Sequence, residues 1–276
     1  MRSDTTSRSC APSVKEACVI ALGEVVLNGP KAKLSAAVVT QAGEDLKSMA
    51  EDDEESSDVQ RRAAFALGQY GARCSSEELT SLLASVCQSP TVTNLVAFNS
   101  ILRHAHAQLK ASPLFPKCLQ VIQQEHCKSK EQDVRAKAAE ACGIVLANEA
   151  AEEGGNGTLP SLKQLSPTLC KLLDPSANNS EVLLMAMESL SKVADRDHSL
   201  VQPVACDLLS ALCALLEAQV SGPVKLAAED LVGSCLGVSR GAEAAVETLD
   251  SMNASAAVKQ AATLGMLKKV AARRNK

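Results

Sequence analysis

The sequence predicts an all-α repeat protein that folds as a solenoid, and composition is the first reason. Its 276 residues include no Trp, one Tyr and three Phe, whereas small and aliphatic residues supply most of the 46% hydrophobic content. Ala and Leu are strong helix formers, and the residues that favour strands are sparse. A chain with so few large rings cannot fill a thick core. We therefore expect many thin helical layers.

A recurring pattern of apolar and small residues is the second reason. A valine is followed four, eight and nine positions later by residues such as Ala, Leu and Gly, as in "DVRAKAAEACG" at 133–143. The valines of this pattern are Val14, Val59, Val92 (a degenerate copy), Val134, Val182, Val224 and Val258. Neighbouring valines are separated by 33 residues (59 to 92) to 48 residues (134 to 182). This spread is typical of helical-hairpin repeats.

Each repeat is predicted to be one helix, a turn and then the helix that carries the valine. Positions i, i+4 and i+8 share one helix face, and small residues there let a neighbouring helix approach closely. The residue before each valine is expected to be the N-cap, since Ser13, Asp58, Thr91 and Asp133 can accept hydrogen bonds. The first helices are predicted at 34–49, 76–88, 114–126, 159–173, 200–218 and 242–249, with kinks at Pro116, Pro167 and Pro203.

The pattern fits a HEAT-like α-solenoid (an armadillo-like superhelix) of about six to seven helical repeats. An armadillo array is the alternative, although its third helix needs longer spacers than this chain offers. Residues 1–12 are expected to be a disordered N-terminal segment. Residues 13–276 are expected to be a single solenoid with flexible loops near 50–57 and 148–158, where the sequence is acidic or Gly-rich.

Charge and cysteine content argue against a dedicated nucleic-acid binder and against a disulfide-bonded protein. A formal net charge of −4 argues against a dedicated nucleic-acid binder. The eleven cysteines are odd in number and form no CxxC pair, which favours reduced thiols in a cytoplasmic or nuclear protein. The N-terminal residues lack the apolar stretch of a secretory signal, and no segment is long and apolar enough to be expected to span a membrane.

No group of residues predicts catalysis or a metal site. His104 and His106 are two positions apart, so on a helix they point in different directions and cannot easily share an ion. His126 and Cys127 are adjacent, so on a helix they cannot easily share an ion either. We therefore expect these histidines to be surface residues of helices. Asp195, His198 and Ser199 are adjacent in a loop, whereas a catalytic triad is assembled by tertiary structure. We expect a protein that is not an enzyme and uses no cofactor.

The candidate binding residues are cations. The position after the valine is basic in four of seven repeats, and two interpretations stay open: ion pairs with a neighbouring repeat, or contacts with an acidic protein or nucleic-acid backbone. The C-terminal tail adds more cations than helix capping requires. The predicted partner-binding residues are Lys15, Arg135, Lys225, Lys259, Lys268, Lys269, Arg273 and Arg274.

One segment resembles a known family. The stretch "PVKLAAEDLVGSCLGVSRGAEAAVETLDSMNASAAVKQAATLGMLKKVAAR" (223–273) resembles the extreme C-terminus of the general-control activator, through its "VK…AED" helix start, "RGAEAAVETL" and "LKKVA". "SSEELTSLLASV" (75–86) resembles a helix placed earlier in that tail. Members of this family are very long HEAT-repeat scaffolds that bind stalled or collided ribosomes. They activate the kinase that phosphorylates the alpha subunit of initiation factor two.

The resemblance implies that this chain corresponds to the terminal repeats of a longer scaffold in translational control. We expect protein partners on the concave face, with the ribosome or a protein kinase regulatory complex as candidates, and neither membrane nor DNA. The alternative function is another HEAT-type interaction scaffold: a nuclear transport receptor, a phosphatase scaffold or a proteasome adaptor. A lyase-like HEAT enzyme would need paired His-Glu motifs in corresponding repeats, which the sequence does not contain.

Overall fold

A computed structural model describes residues 11–30, 33–152 and 159–236, together with positions 250, 256, 259 and 260. Across these residues the secondary structure consists of twelve α-helices and two 3₁₀ helices, without a strand. The predicted all-α, HEAT-like fold class is therefore confirmed. The contacts divide the chain into two compact units, Met1–Cys118 and Leu119–Lys276.

The first unit contains one single helix followed by helix pairs. The single helix α1 packs against α3, the second helix of the first pair, and α3 packs in turn against α5, the second helix of the next pair. The first helix of each pair lies against its own partner, α2 on α3 and α4 on α5. A break at Ala105 separates α5 from the six-residue helix α6, which was not predicted. The helices are α1 (Pro12–Asn28), α2 (Ala36–Glu51), α3 (Ser57–Gly71), α4 (Ser76–Val86), α5 (Val92–His104), α6 (His106–Ala111) and α7 (Phe115–Gln124), which extends into the second unit.

The second unit repeats this arrangement. Its second helices pack in the order α8, α10, α12, and the first helices α9 and α11 lie against them. The elements after α7 are a 3₁₀ helix (His126–Lys128), α8 (Gln132–Glu152), α9 (Pro160–Leu172), α10 (Ser180–Arg196), a second 3₁₀ helix (His198–Val204), α11 (Ala205–Glu217) and α12 (Gly222–Leu236).

The predicted first helices correspond to observed ones, with shifted ends near the prolines. Pro167 lies inside α9, whereas Pro203 lies in the second 3₁₀ helix and α11 begins only at Ala205. The acidic loop expected near 50–57 occupies 52–56, between α2 and α3. Of the loop expected at 148–158, residues 148–152 are the last turn of α8, and 153–158 lie outside the described residues. The same holds for 1–10 and for the helix predicted at 242–249.

The N-caps do not lie where the sequence predicted them. Among the predicted caps that the structure describes, only Thr91 is an observed N-cap, and its side chain accepts from the backbone N–H of Asn94. Ser56 and Asn179, each three residues before the valine, accept hydrogen bonds from the backbone N–H groups of Val59 and Val182 at 3.3 and 3.0 Å. Predicted caps such as Asp58 are already in the first turn, where a carboxylate interacts favourably with the helix dipole. The valine is thus the third helical residue.

The valine face is buried in four of the repeats. Val59, Val134, Val182 and Val224 have no exposed surface, and the residues four positions later are equally buried. The face predicted for α1 is different, because Val14 is 50% exposed and Cys18 is also exposed. The buried residues of α1 are Val19, Gly23 and Val26, since its main contacts among the described helices are with α3. The prediction of a packed valine face is wrong for this helix.

Glycine and serine set how closely the second helices approach. A Cβ atom added at Gly68 of α3 would collide with the Ser100 side chain and lie 2.7 Å from the backbone nitrogen of Ile101 in α5. One added at Gly143 of α8 would lie 2.6 Å from Cβ of Ser189 in α10. Because a Cβ atom does not approach non-bonded atoms this closely, only glycine fits at these two positions without a shift of the neighbouring helix.

The serines that face these glycines also bind the neighbouring helix. Ser100 donates from Oγ to the carbonyl oxygen of Phe65 at 2.6 Å, and Ser189 donates to that of Ala139 at 2.8 Å. Each serine thereby satisfies its buried hydroxyl with a carbonyl of the preceding second helix. The small faces predicted from the sequence are the surfaces along which consecutive repeats stack.

We expect Gly68→Ala to lower the free energy of unfolding by about 1–3 kcal/mol, because the added methyl overpacks the contact between α3 and α5. Gly71→Ala is the matched control on the same helix, since its Cβ would lie 3.4 Å from Ile101 Cγ1, an ordinary contact. That change should be neutral or stabilising by up to about 1 kcal/mol through helix propensity. Urea denaturation of both variants measures the difference, and equal stabilities would contradict the close approach.

Candidate functional site

Two of the predicted cations form ion pairs inside their own unit. Lys15 binds the carboxylate of Glu55, in the loop between α2 and α3. Lys259 binds the carboxylate of Asp250. The pair of Lys15 is with the neighbouring repeat, as the structural interpretation expects, whereas Asp250 lies in the same predicted repeat as Lys259.

The other predicted cations have different surroundings. Lys225 is exposed in the first turn of α12, with no hydrogen bond or ion pair from its ammonium group to a described residue. Arg135, in the first turns of α8, is half-buried and lines a surface cavity. The four tail cations, Lys268, Lys269, Arg273 and Arg274, lie outside the described residues. Among the four predicted cations that are described, no two share an ion-pair carboxylate or a cavity.

The cavity at Arg135 lies within the second unit and has a volume of about 290 Å³. It is formed where the end of α7, the first 3₁₀ helix, the start of α8, the second half of α9 and the loop before α10 meet. Three of its lining residues are cations and none is acidic. The lining residues are Gln123, Gln124, Cys127, Lys128, Arg135, Thr168, Lys171, Leu172, Ala177 and Asn178.

Two buried polar atoms on the cavity wall have no partner in the described structure. Nε of Arg135 and Oδ1 of Asn178 are each shielded from solvent and accept or donate no hydrogen bond there. The amide nitrogen of Asn178 donates to the carbonyl oxygens of Lys171 (3.3 Å) and Asp174 (3.1 Å), which fixes the orientation of the amide. Unpaired buried donors and acceptors are costly, so a ligand that reached either atom would relieve this cost.

The positive charge of the cavity is not neutralised by any described residue. Among the described residues no carboxylate forms an ion pair with Lys128, Arg135 or Lys171. Asp174 follows α9 closely, but its Oδ1 accepts hydrogen bonds from the amide and hydroxyl of Ser176, and these bonds lower the pKa of Asp174. The cavity therefore offers three cationic groups to an anion.

Two glutamines hold the elements around the cavity in place. Gln123 of α7 donates to the carbonyl oxygen of Gln164 in α9 at 2.7 Å and accepts from the Gln164 amide at 3.0 Å. Gln132, the first residue of α8, donates to the carbonyl oxygen of Ala177 at 3.2 Å and accepts from the backbone N–H of Asn179 at 3.1 Å. The bridges join residues that are 41 to 47 positions apart in the sequence. The cavity is thus preorganised.

A larger cavity in the first unit, about 400 Å³, differs in that its charged groups are already used. Arg73 donates to the carbonyl oxygens of Leu27 and Gly29. Glu78 accepts from Thr40 and forms a capping box with Ser75, and these hydrogen bonds hold the pKa of Glu78 at about 2. These contacts stabilise helix ends, which leaves the cavity of the second unit as the candidate functional site.

The cysteines and histidines of the described chain do not form a metal site. No cluster of three or more metal-ligating side chains occurs in the part of the chain that the structure describes, and the ten cysteines described there are free thiols. Cys127 lies on the cavity wall, where a hydrogen bond with Cys142 and burial raise its pKa. No described helix is long and apolar enough to cross a membrane.

The histidines correct one expectation. His126 was predicted to be a surface residue, but only 1% of it is exposed. His104 is half-buried and packs edge-on against Phe65, with ring centroids 5.9 Å apart. Sequence reasoning treated residue 126 as part of a longer amphipathic helix, whereas α7 ends at Gln124 and a 3₁₀ helix turns the side chain inward.

The fold and the site together define a helical-repeat protein whose second unit contains a cation-lined cavity. The chain belongs to the family described as "GCN1-like, C-terminal HEAT repeats", whose model matches residues 91–249. This match includes every residue that lines the cavity. No curated protein matches the sequence.

One solved structure that resembles this chain is titled "Crystal structure of computationally designed armadillo repeat proteins for modular peptide recognition". The two sequences are 17% identical, the TM-score is 0.44, and the alignment covers 90% of this chain and 98% of that chain.

We expect His126 to make stability depend on pH in the mildly acidic range. Burial lowers the pKa of His126, opposed in part by the Glu125 carboxylate. Below pH 6.5 the unfolded chain binds a proton that the folded chain does not, so stability falls as the pH falls through this range. The free energy of unfolding should lose at most about 1.4 kcal/mol per pH unit from this residue.

His126→Leu should flatten the slope of unfolding free energy against pH between about pH 6.5 and 5, because leucine carries no titrating group. Denaturant titrations at four pH values would measure the slope for both proteins. An identical slope in the variant would contradict a buried, neutral His126.

Proposed function

We propose that this chain is a non-enzymatic, protein-binding HEAT scaffold that acts in translational control in the cytoplasm. The single observation that carries the proposal is membership of the GCN1-like family through the match over residues 91–249. The resemblance of the C-terminal segment 223–273 to the general-control activator supports the same role. The ribosome and a protein kinase regulatory complex are the proposed partners.

The surface of the second unit supports a binding role. The cationic cavity lies within the family match and leaves buried polar atoms without partners in the described structure. A folded protein does not normally leave such atoms unpaired without a reason. Binding of a partner would supply the missing hydrogen bonds.

The proposed contact residues differ in how readily they can reach a partner. Arg135 and Lys225 carry no ion pair to a described residue, so their charges are available. Lys15 and Lys259 would have to exchange their present carboxylates for those of a partner. The tail cations Lys268, Lys269, Arg273 and Arg274 remain proposed contacts for RNA or an acidic protein.

A HEAT-type scaffold outside translation is the second candidate: a nuclear transport receptor, a phosphatase scaffold or a proteasome adaptor. The observation that favours it is the repeat stacking itself, which these classes share and which specifies no partner. Affinity purification of the tagged chain from a native lysate separates the two. Enrichment of ribosomal subunits is expected, whereas enrichment of transport cargo or phosphatase subunits without ribosomes would overturn the translational role.

Neutralising the four tail cations to Gln should weaken co-sedimentation with ribosomes by about ten-fold and reduce its salt dependence, because fewer counterions are released on binding. The control neutralises four cations of the described surface, Lys47, Arg61, Lys163 and Lys192. Both variants lose the same charge. Equal weakening in the two variants would show a nonspecific charge effect and contradict a tail contact.

A further inference from the structure

We infer that the cavity of the second unit binds a phosphorylated serine or threonine of a partner protein. The inference rests on the proposed function only in that the partner is a protein. The site consists of Lys128, Arg135, Lys171 and Asn178, which line one cavity of about 290 Å³.

The charge of the cavity selects a multiply charged anion. Three cations line it without a carboxylate that pairs with them in the described structure. A carboxylate carries one negative charge, whereas a phosphoserine carries about 1.5 to 2 at pH 7 and presents three acceptor oxygens. Charge-assisted hydrogen bonds to such a group are shorter and stronger than neutral ones. The arrangement therefore fits a phosphate better than an aspartate or glutamate side chain.

Asn178 adds a hydrogen-bond acceptor that a phosphorylated peptide can satisfy. The asparagine is 92% buried, being 8% exposed, and its Oδ1 is an acceptor without a partner among the described residues. The dianion of a phosphate ester has no O–H group, so the phosphate of a phosphorylated residue cannot donate to this atom. The backbone N–H of a phosphorylated residue, or of its neighbour, supplies one. Anion and donor are thus accommodated side by side.

Nucleic acid fits this cavity less well than a phosphopeptide. None of the lining residues is aromatic, so the cavity lacks the rings on which bases stack, and such stacking supplies much of the affinity for single strands. A phosphate backbone also needs a row of cations, and Lys15 and Lys259 are already in ion pairs. A single compact cluster of cations suits one modified side chain.

The cavity requires little rearrangement before it binds. The Gln123–Gln164 and Gln132–Asn179 bridges already hold α7, α8, α9 and the loop before α10 together. Cys127 and Leu172 close the inner wall and are buried, which reduces the dielectric constant near Arg135. Interaction of a phosphate with the buried part of Arg135 is strengthened by that environment.

The test uses the full chain and three fluorescent, degenerate peptide libraries that are identical except at a fixed central residue. This residue is phosphoserine, serine or glutamate, and a twenty-nucleotide single-stranded RNA of mixed sequence is the fourth probe. Fluorescence polarisation should give about ten-fold or tighter binding of the phosphoserine library than of the serine library. Equal binding of the phosphoserine library and either peptide control, or preference for the RNA, would overturn the inference.

Variants then locate the phosphate. Lys171→Gln should weaken phosphoserine binding about three- to ten-fold, and Arg135→Gln about ten-fold or more. Lys163→Gln is the matched control, because Lys163 is an exposed lysine on the same helix, α9, and does not line the cavity. Lys171 is itself exposed, so its variant is expected to fold even if the half-buried Arg135 proves structurally necessary. Unchanged binding in Lys171→Gln, or equal weakening in Lys163→Gln, would overturn the site.

The two proposals fail separately. Loss of ribosome recovery with intact phosphoserine binding would overturn the translational role and leave the phosphate site standing. Ribosome recovery without any preference for phosphoserine would overturn the phosphate site and leave the translational role standing.

Discussion

The close approach of neighbouring second helices is the constraint on which the rest of the structure depends. Gly68 meets Ser100 and Gly143 meets Ser189, in each case at a distance that leaves no room for a β-carbon on the glycine. Each serine hydroxyl is bonded to a carbonyl of the adjoining helix. This close packing replaces the large aromatic side chains that the sequence lacks, since dispersion contacts increase when backbones pack closely.

The same stacking produces the cation-lined cavity. Because α8 and α10 pack side by side, the first turns of α8 lie beside the loop that precedes α10. Gln132 therefore reaches Ala177 and Asn179, and Arg135 lies three residues further along the same helix, on the cavity wall. A residue in the first turns of a second helix and a loop about 45 residues later thus form one site. The repeat architecture positions binding residues without a dedicated domain.

The fold could be predicted from the sequence because its signal is periodic. Valine and small residues recur at helical spacing, and their burial confirmed the pattern in four repeats. The N-caps were placed two residues too late in most helices, because a short polar residue occurs both at the cap and inside the first turn, as Ser56 and Asp58 show. The exposure of Val14 could not be inferred either, since burial depends on which neighbour covers a face and not on the face itself.

The lining of the candidate site could be predicted from the sequence only in part. Arg135 was selected from its place after a valine, whereas Lys128, Lys171 and Asn178 were not, because they occupy a 3₁₀ helix, a helix end and a loop without a shared period. What joins them is tertiary contact across about 50 residues, to which sequence periodicity does not extend. The ion pairs could not be predicted from sequence spacing either. Lys15 and Lys259 each follow a valine of the repeat pattern, yet each binds a nearby carboxylate.

The most direct measurement of the central claim is a nuclear Overhauser effect between Gly143 and Ser189 in the isotope-labelled protein. The close packing of α8 against α10 brings the α-protons of Gly143 into contact with the β-protons of Ser189, so a strong cross-peak is predicted. If the cross-peak is absent while the amide resonances of α8 and α10 show ordered helices, the two helices do not stack through their small residues and the account is contradicted.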